Sequence, residues 1–183
     1  MSAYEEHEKT ALIVIDMQHG VVDNAWKRDE VVSRISELIA KARESGVDVI
    51  WVQHSENEMP IGSQDWQIVP ELKPAKNEKI IHKIYRSAFE ETELEEILED
   101  LDIGHLVITG AQTNYCVRNT IHAGFERGFN ITLIEDAHTT MDETWKGVTI
   151  TAEQIVAELN RACSKYQLPD SFVDVTKAES IRF

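Results

Sequence analysis

Runs of apolar residues alternate with segments of helical periodicity along most of the chain. Four runs rich in β-branched residues predict strands buried on both faces: "ALIVIDM" (11–17), "VDVIWVQH" (47–54), "HLVITG" (105–110) and "NITLIEDA" (130–137). Between the first two, "DEVVSRISELIAKARESG" repeats its apolar residues every three or four positions and stops at Gly46. This pattern predicts an amphipathic helix with a glycine end.

Three more helices are predicted in the second half of the chain. "ETELEEILEDLD" begins with Thr92 and Glu95, which match a capping box, and "TAEQIVAELNRACSKY" begins with a second such pair, Thr151 and Gln154. "NYCVRNTIHAGFERG" predicts a helix that again ends in glycine. "KIIHK" predicts a short strand, and the terminal "SFVDVTKAESIRF" predicts an edge strand or a segment that packs on a partner chain.

The periodic pattern lapses between residues 55 and 79, where Pro60, Gly62, Pro70 and Pro74 interrupt it. We interpret this segment as a long loop with room for one short helix. Loops of this length in a compact domain are usually functional or ordered against a partner.

The order of these elements predicts the fold class. Strands that alternate with helices form right-handed crossovers and a parallel sheet covered on both sides. We therefore expect a three-layer α-β-α, Rossmann-like fold with an open, mostly parallel sheet of about six strands. The chain has 183 residues and no internal repeat or linker, so a single domain over residues 1–183 is expected.

Charge and cysteine content narrow the class of partner and the compartment. The formal net charge of −15 repels phosphate backbones and anionic lipids, so no nucleic-acid or membrane partner is expected. The polar start "MSAYEEHEKT" does not resemble a signal peptide, and the chain has only two cysteines. A reduced, cytoplasmic protein is therefore predicted.

Polar residues follow several predicted strands, at the sheet edge where open parallel sheets bind ligands. Asp16 follows the first strand, Lys83 ends the short one, and Cys116 opens a helix after "HLVITG". A helix N-terminus and a nearby lysine would lower the pKa of a thiol, and a carboxylate can serve as a general base. Taken singly, Asp16 could equally be a loop cap, and Lys83 is better explained as a snorkelling lysine. A small buried thiol explains Cys163 well but fits Cys116 less well.

Three motifs in the same order resemble the isochorismatase-like cysteine hydrolase superfamily: "VIDMQ", "IHKIYRSAFEETELEEIL" and "LVITGAQTNYCVRNTIHAGFERGFNITLIEDAHTTMD". The resemblance implies a catalytic triad of Asp16, Lys83 and Cys116 that hydrolyses a C–N bond through a thioester. It also implies a cis peptide bond between Ala111 and Gln112, and an oxyanion hole formed by the N–H groups of Gln112 and Cys116. Relatives that cleave the vinyl ether of isochorismate can lack the cysteine, so Cys116 favours amide-type substrates.

Nicotinamidases of this superfamily have a metal site made by an Asp-x-His pair and another histidine, so similarity to them would imply such a site here. Here Val52 stands two positions before His54, and no other histidine follows before His82. Tight metal sites need three or four ligands, so we predict no metal and no cofactor. The segment from residue 53 to 72 is more similar to metal-free amidohydrolases, the branch that includes streptothricin-hydrolase-like proteins.

Residues next to the triad or in the long loop are candidates for binding a small amide substrate: Gln18, Gln53, His54, Trp66, Phe89, Tyr115 and Trp145. The two tryptophans would serve equally well at a subunit interface. Asp136 and His138 are expected to order the loop after the fifth strand.

The leading hypothesis is a metal-free thiol amidohydrolase, and members of the superfamily often form homodimers or homotetramers. Two alternatives remain at this point: a nicotinamidase-like enzyme with a reduced metal site around His54, or a metabolite-binding or oligomeric interaction protein with a relic triad. A nucleotide-binding Rossmann domain is disfavoured, because "DMQHGVV" replaces the glycine-rich phosphate loop.

Overall fold

A computed structural model describes Tyr4, residues 7–169 and residues 171–183. The strands are β1 (Lys9–Ile15), β2 (Asp48–His54), β3 (Lys79–Lys83), β4 (Ile103–Ala111), β5 (Asn130–Thr139), β6 (Glu143–Trp145), β7 (Val148–Ile150), β8 (Gln167–Leu168) and β9 (Ser171–Thr176). The α-helices are α1 (His19–Val22), α2 (Arg28–Glu44), α3 (Leu94–Asp100), α4 (Arg118–Arg127) and α5 (Ala152–Cys163). A π-helical turn, Thr113–Val117, runs directly into α4.

The central sheet has seven strands in the order β3-β2-β1-β4-β5-β9-β8. Its first six strands are parallel, and β8 pairs antiparallel to β9. The predicted α/β fold is confirmed, while the expected count of about six strands missed β8. Its two residues, Gln167 and Leu168, are too few to carry a strand pattern.

Helices cover both faces of the sheet, which confirms the three-layer arrangement. Buried side chains of α2, such as Ile35 and Leu38, pack with Leu12 and Val14 on one face. On the other face, Leu98, Ile121 and Leu159 from α3, α4 and α5 form a second core. The last five residues of β1 are almost fully buried because both faces are covered.

Two of the local predictions differ in outcome. The capping box of Thr151 and Gln154 at α5 is confirmed. The one predicted at Thr92 is wrong, because α3 begins later and the Thr92 hydroxyl instead donates to the Ala88 carbonyl oxygen at 2.5 Å.

The segment from residue 55 to 78 is a loop without a helix, and the β6–β7 hairpin was not anticipated from the sequence. In the described part of the chain, no helix is long and apolar enough to cross a membrane.

The order in which strands are added to the sheet reverses at the β1–β4 pair. β2 and β3 extend the sheet to one side, and β5 and β9 extend it to the other. This reversal opens a crevice at the carboxyl ends of β1 and β4. Gly110, near the end of β4, has φ +117°, and a Cβ built on it would lie 2.0 Å from the Ile15 carbonyl oxygen. Only glycine permits this close pairing beside the crevice.

Replacing Gly110 with alanine is expected to lower the free energy of unfolding by at least about 3 kcal/mol, from left-handed backbone strain and a clash with backbone atoms. Gly46→Ala is the matched control, because Gly46 has φ +71° but open space where its Cβ would lie. The control should lose only about 1–2 kcal/mol. Urea denaturation of both variants measures the difference, and equal losses would rule out the close approach as the cause.

Candidate active site

Asp16, Lys83 and Cys116 meet at the crevice, although they are far apart in sequence. The Lys83 ammonium donates to Asp16 Oδ2 at 2.7 Å and to Cys116 Sγ at 3.2 Å. It also donates to the Tyr85 carbonyl oxygen at 3.2 Å. The lysine therefore bridges a carboxylate and a thiol, and these contacts hold all three side chains in one cluster.

Each of the three side chains is positioned by the end of a strand. Lys83 is the last residue of β3, and Cys116 lies in the π-helical turn after β4. Asp16 follows β1 with φ 48°, an uncommon backbone conformation for an aspartate, while its N–H donates to the Val52 carbonyl oxygen at 2.9 Å. This backbone turn lies at the crevice, where sparsely populated conformations often accompany function.

The Asp16–Lys83 ion pair is almost completely withdrawn from water. The exposed fractions of the two side chains are 1% and 0%. Burying both charges has a desolvation cost that the pair offsets only with close geometry and further hydrogen bonds. One carboxylate oxygen, Asp16 Oδ1, is buried without a hydrogen-bond partner among the described residues. The cluster therefore keeps an unused acceptor, which a stability role alone does not require.

The surroundings of Cys116 raise the pKa of its thiol, contrary to the predicted lowering. Burial and, after it, the Asp16 carboxylate raise the pKa of Cys116 to about 12, although the Lys83 ammonium acts in the opposite direction. The prediction considered the helix terminus and the lysine but not the burial of the sulfur or the nearby carboxylate. Nucleophilic attack by Cys116 therefore requires a base, and Asp16 is the adjacent candidate.

A cavity of about 230 Å³ opens onto this cluster and gives it access to a small molecule. Asp16 and Cys116 line its floor together with His54 and Gln112. The peptide bond between Ala111 and Gln112 is cis, as the resemblance implies. The assignment of the Gln112 and Cys116 N–H groups to an oxyanion hole stays a prediction.

Among the predicted substrate-binding residues, only His54 lines this cavity. Gln18 and Gln53 instead tie the long loop to the sheet, because both side-chain amides donate to the Trp66 carbonyl oxygen, at 2.8 and 3.1 Å. Gln18 also exchanges two hydrogen bonds with the His54 backbone. The sequence predicts the correct edge of the sheet for these glutamines, but it does not show that their amides are hydrogen-bonded to the backbone.

The aromatic candidates also lie outside the cavity lining. Phe89 packs in the core against Phe129, and Trp66 stacks on His82. The Tyr115 ring contacts the Arg86 guanidinium, which lies 4.7 Å from the ring centroid. Trp145 is 74% exposed on the β6–β7 hairpin. These positions share one cause, since an aromatic ring near the site in sequence can pack inward as readily as toward a ligand.

The structure adds four charged residues that were not predicted: Glu56, Glu58, Asp65 and Arg86. The acidic residues belong to the long loop, and Arg86 follows Lys83 by three positions in "KIYR". The length of this loop predicts a functional role, so its charged residues were the signal that could have identified the three acidic positions.

The surroundings of His54 do not fit a metal site. Its Nδ1 lies 3.4 Å from the Lys83 ammonium, which would repel a metal cation there, and Val52 lies buried in β2 with no ligand atom. Burial and the Lys83 charge lower the pKa of His54. In the described ranges, no three His, Cys, Asp or Glu side chains form a group that could hold a metal ion.

His138 supports the nucleophile segment from behind. Its Nδ1 is hydrogen-bonded to the Thr113 hydroxyl and its Nε2 to the Asn160 side-chain oxygen, both at 2.9 Å. Burial lowers the pKa of His138 to about 4. Asp136 contacts Arg34 and the Ala178 N–H instead. Both residues therefore make structural contacts, and His138 connects α5 to the turn that holds Cys116.

Acid should destabilise the protein through His138. Because its folded pKa lies below the unfolded value of about 6.5, its contribution is complete above pH 6.5 and is lost as the pH falls toward 4. We expect about 3 kcal/mol of unfolding free energy to be lost over that window. Urea denaturation at pH 7, 5.5 and 4.5 should show a shallower pH dependence for His138→Gln than for wild type. The exposed His82→Gln control should keep the wild-type dependence, and an unchanged slope in His138→Gln would contradict this assignment.

Comparisons with known proteins agree with this architecture. The family model described as the isochorismatase domain matches residues 10–162. The isochorismatase family protein YrdC of Bacillus subtilis (strain 168) is 36% identical over 140 residues, which cover 71% of this chain and 73% of that protein. The ureidoacrylate amidohydrolase RutB of Cronobacter sakazakii is 28% identical over 172 residues, covering 71% and 74%. The crystal structure of an isochorismatase from Pseudomonas putida KT2440 superimposes with a TM-score of 0.86 at 29% identity, covering 100% of this chain and 93% of that one. The matched sequence, the shared fold and the extent of both show that the chain belongs to the isochorismatase family.

Proposed function

We propose that the protein is a hydrolase that cleaves a C–N bond of a small amide, lactam or ureido compound through a thioester on Cys116. The observation that carries this proposal is the single lysine that contacts both Asp16 and the Cys116 sulfur at the floor of an open cavity. A nucleophile, a base and a cation that stabilises both anions are the parts that acyl transfer needs.

In the first half of the reaction, Asp16 accepts the thiol proton as Cys116 Sγ attacks the carbonyl carbon of the substrate. Lys83 stabilises the developing thiolate at 3.2 Å, which offsets the burial that holds the thiol neutral. The carbonyl oxygen becomes an oxyanion, for which the N–H groups of Gln112 and Cys116 are the proposed donors. When the tetrahedral intermediate collapses, Asp16 returns the proton to the leaving nitrogen, and the C–N bond breaks.

In the second half, a water molecule replaces the amine and loses a proton to Asp16 as it attacks the thioester. The C–S bond then breaks, the thiol regains its proton, and the acid is released. The sum is amide plus water giving carboxylic acid plus amine, with the cysteine unchanged. The free acceptor at Asp16 Oδ1 suits this repeated proton transfer, because it can receive a proton from the thiol or from water.

Similarity to RutB supports the choice of a C–N bond. That protein is named for hydrolysis of ureidoacrylate, and the alignment covers most of both chains. At 28% identity it supports the reaction class for this chain and leaves the substrate open.

A panel of small primary amides, lactams and ureido acids tests the proposal by the release of ammonia or amine. We expect at least one class to be hydrolysed by the wild type, and we expect enzyme first alkylated at Cys116 by iodoacetamide to be inactive toward it. Equal turnover by the alkylated protein, or no hydrolysis of any compound in the panel, would contradict the proposal.

A further inference from the structure

One wall of the cavity is formed by three carboxylates of the long loop, Glu56, Glu58 and Asp65, which we call the acidic wall. In the described part of the chain, Glu58 and Asp65 form no salt bridge. The Glu56 carboxylate lies 3.6 Å from Nε2 of His54, whose pKa is lowered by burial and by the Lys83 charge. The three carboxylates therefore line a cavity in which Arg86 is the single lysine or arginine among the described lining residues.

The acidic wall is held close to the catalytic floor by its backbone. The Gly20 N–H donates to the Asp65 carbonyl oxygen at 2.9 Å, which ties α1 to the loop. A Cβ built on Gly20 would lie 2.9 Å from both the Met59 sulfur and the Asp65 Cβ. The loop thus packs on α1 as closely as glycine permits, which holds its backbone at Met59 and Asp65 beside the cavity.

A second observation, on the catalytic cluster itself, points to a ligand in the same cavity. Asp16 is 1% exposed and lines the floor, and its Oδ1 has no hydrogen-bond partner among the described residues. A buried carboxylate oxygen is costly to leave unpaired, so it calls for a hydrogen-bond donor from a bound molecule. The N–H of a scissile amide or of its leaving amine can supply that donor.

Arg86 is the competing feature, because a guanidinium in a cavity can bind an anion. It is a single charge, exposed like the three carboxylates, and its guanidinium lies over the Tyr115 ring. Three carboxylates of the same lining outnumber it, so these four side chains together have a net negative charge. This negative charge would repel an incoming anion.

We propose that the substrate carries a positively charged amino group, which the acidic wall binds while the amide reaches Cys116. This inference rests on the proposed function, because it assigns a substrate class to the same site. It excludes small dicarboxylic half-amides and other anionic compounds as the preferred substrates.

The charge of the cavity can be measured at Cys116 without any turnover. Two thiol-reactive reagents of similar size, 2-aminoethyl methanethiosulfonate (cationic) and 2-sulfonatoethyl methanethiosulfonate (anionic), are reacted with the protein, and modification is followed on the Cys116 peptide by mass. The ratio of the two rates cancels the thiolate fraction, since both reagents use the same sulfur. We expect the cationic reagent to react faster in the wild type, and the ratio to fall by about tenfold or more in E56Q/E58Q/D65N.

A matched control separates local charge from the net charge of −15. The triple variant E44Q/D100N/E126Q removes three exposed carboxylates near the last turns of α2, α3 and α4, which do not line the cavity. Its rate ratio should stay within about twofold of wild type, because these charges are distant and screened. Equal falls in both triple variants, or faster reaction with the anionic reagent in the wild type, would overturn the proposal.

A matched set of amides connects the subsite to catalysis: 5-aminopentanamide, pentanamide and the half-amide of glutaric acid. We expect kcat/KM to decrease in that order for the wild type, and the preference for the first to disappear in E56Q/E58Q/D65N. Hydrolysis of the three amides at similar rates, with no preference between the reagents, would remove the cation subsite and leave the proposed function standing. A clear preference between the reagents with no amide or ureide hydrolysed would have the opposite meaning: the subsite would stand and the proposed function would fall.

Discussion

Cys116→Ala is expected to lower kcat for every amide that the wild type hydrolyses by about 10⁴-fold or more, because no other group at the cavity floor can form the covalent intermediate. The described chain has one other cysteine, Cys163, which is 0% exposed in the core. It cannot substitute for Cys116 without unfolding.

Cys163→Ala is the matched control for this variant. It removes a buried sulfur of the same size and should cost stability while leaving kcat near the wild-type value at a temperature where the protein remains folded. Full turnover by Cys116→Ala would end the covalent account, and a loss in Cys163→Ala equal to that in Cys116→Ala would show that both effects come from folding.

Asp16→Asn is expected to have two effects with opposite signs on the same cysteine. It should lower kcat by about 10²- to 10⁴-fold, because an amide cannot accept the thiol proton or return it to the leaving amine. It should also lower the pKa of Cys116, since the Asp16 carboxylate is the second largest cause of its increase and Lys83 remains in place. The variant would then hold a more reactive thiol in a slower enzyme.

Iodoacetamide alkylation of the Cys116 peptide as a function of pH measures the second effect, alongside steady-state hydrolysis for the first. The midpoint for alkylation should move to lower pH in Asp16→Asn and to higher pH in Lys83→Met, where the favourable cation is lost. A higher midpoint in Asp16→Asn would mean that the carboxylate stabilises the thiolate, and Asp16 would no longer fit as the base.

The fold was predictable because its signals are long and repeated. Buried strands such as β1 and β2 are continuous apolar runs, and α2 and α5 have clear helical periodicity, so their order alone determines a parallel sheet with crossovers. Short elements carry too few residues for a pattern. The two residues of β8 and the three-residue strands of the hairpin were missed for that reason.

Asp16, Lys83 and Cys116 could also be identified from the sequence, since each ends or follows a strand that the pattern predicts. The cavity wall was not accessible in the same way. Gln18 and Phe89 stand beside the catalytic motifs but direct their side chains to backbone groups or to the core. Glu58 and Asp65 lie in an irregular loop, whose course depends on contacts such as the close approach of Gly20.

The thiol pKa shows a different limit of sequence reasoning. A helix terminus and a lysine were visible in the sequence, and both favour a thiolate. The degree of burial and the position of the Asp16 carboxylate depend on the folded structure, and together they outweigh the lysine. On this balance, the proposed attack by Cys116 needs a base.

Mass spectrometry of the protein quenched during hydrolysis tests the central claim most directly. With the best amide from the panel, we predict that the Cys116 peptide gains the mass of the acyl group, that is, of the substrate minus its leaving amine. The Cys163 peptide should stay unmodified, and the adduct should disappear when the substrate is exhausted. Steady hydrolysis with no acyl adduct at Cys116, even at the earliest quench times, would contradict covalent catalysis by this cysteine.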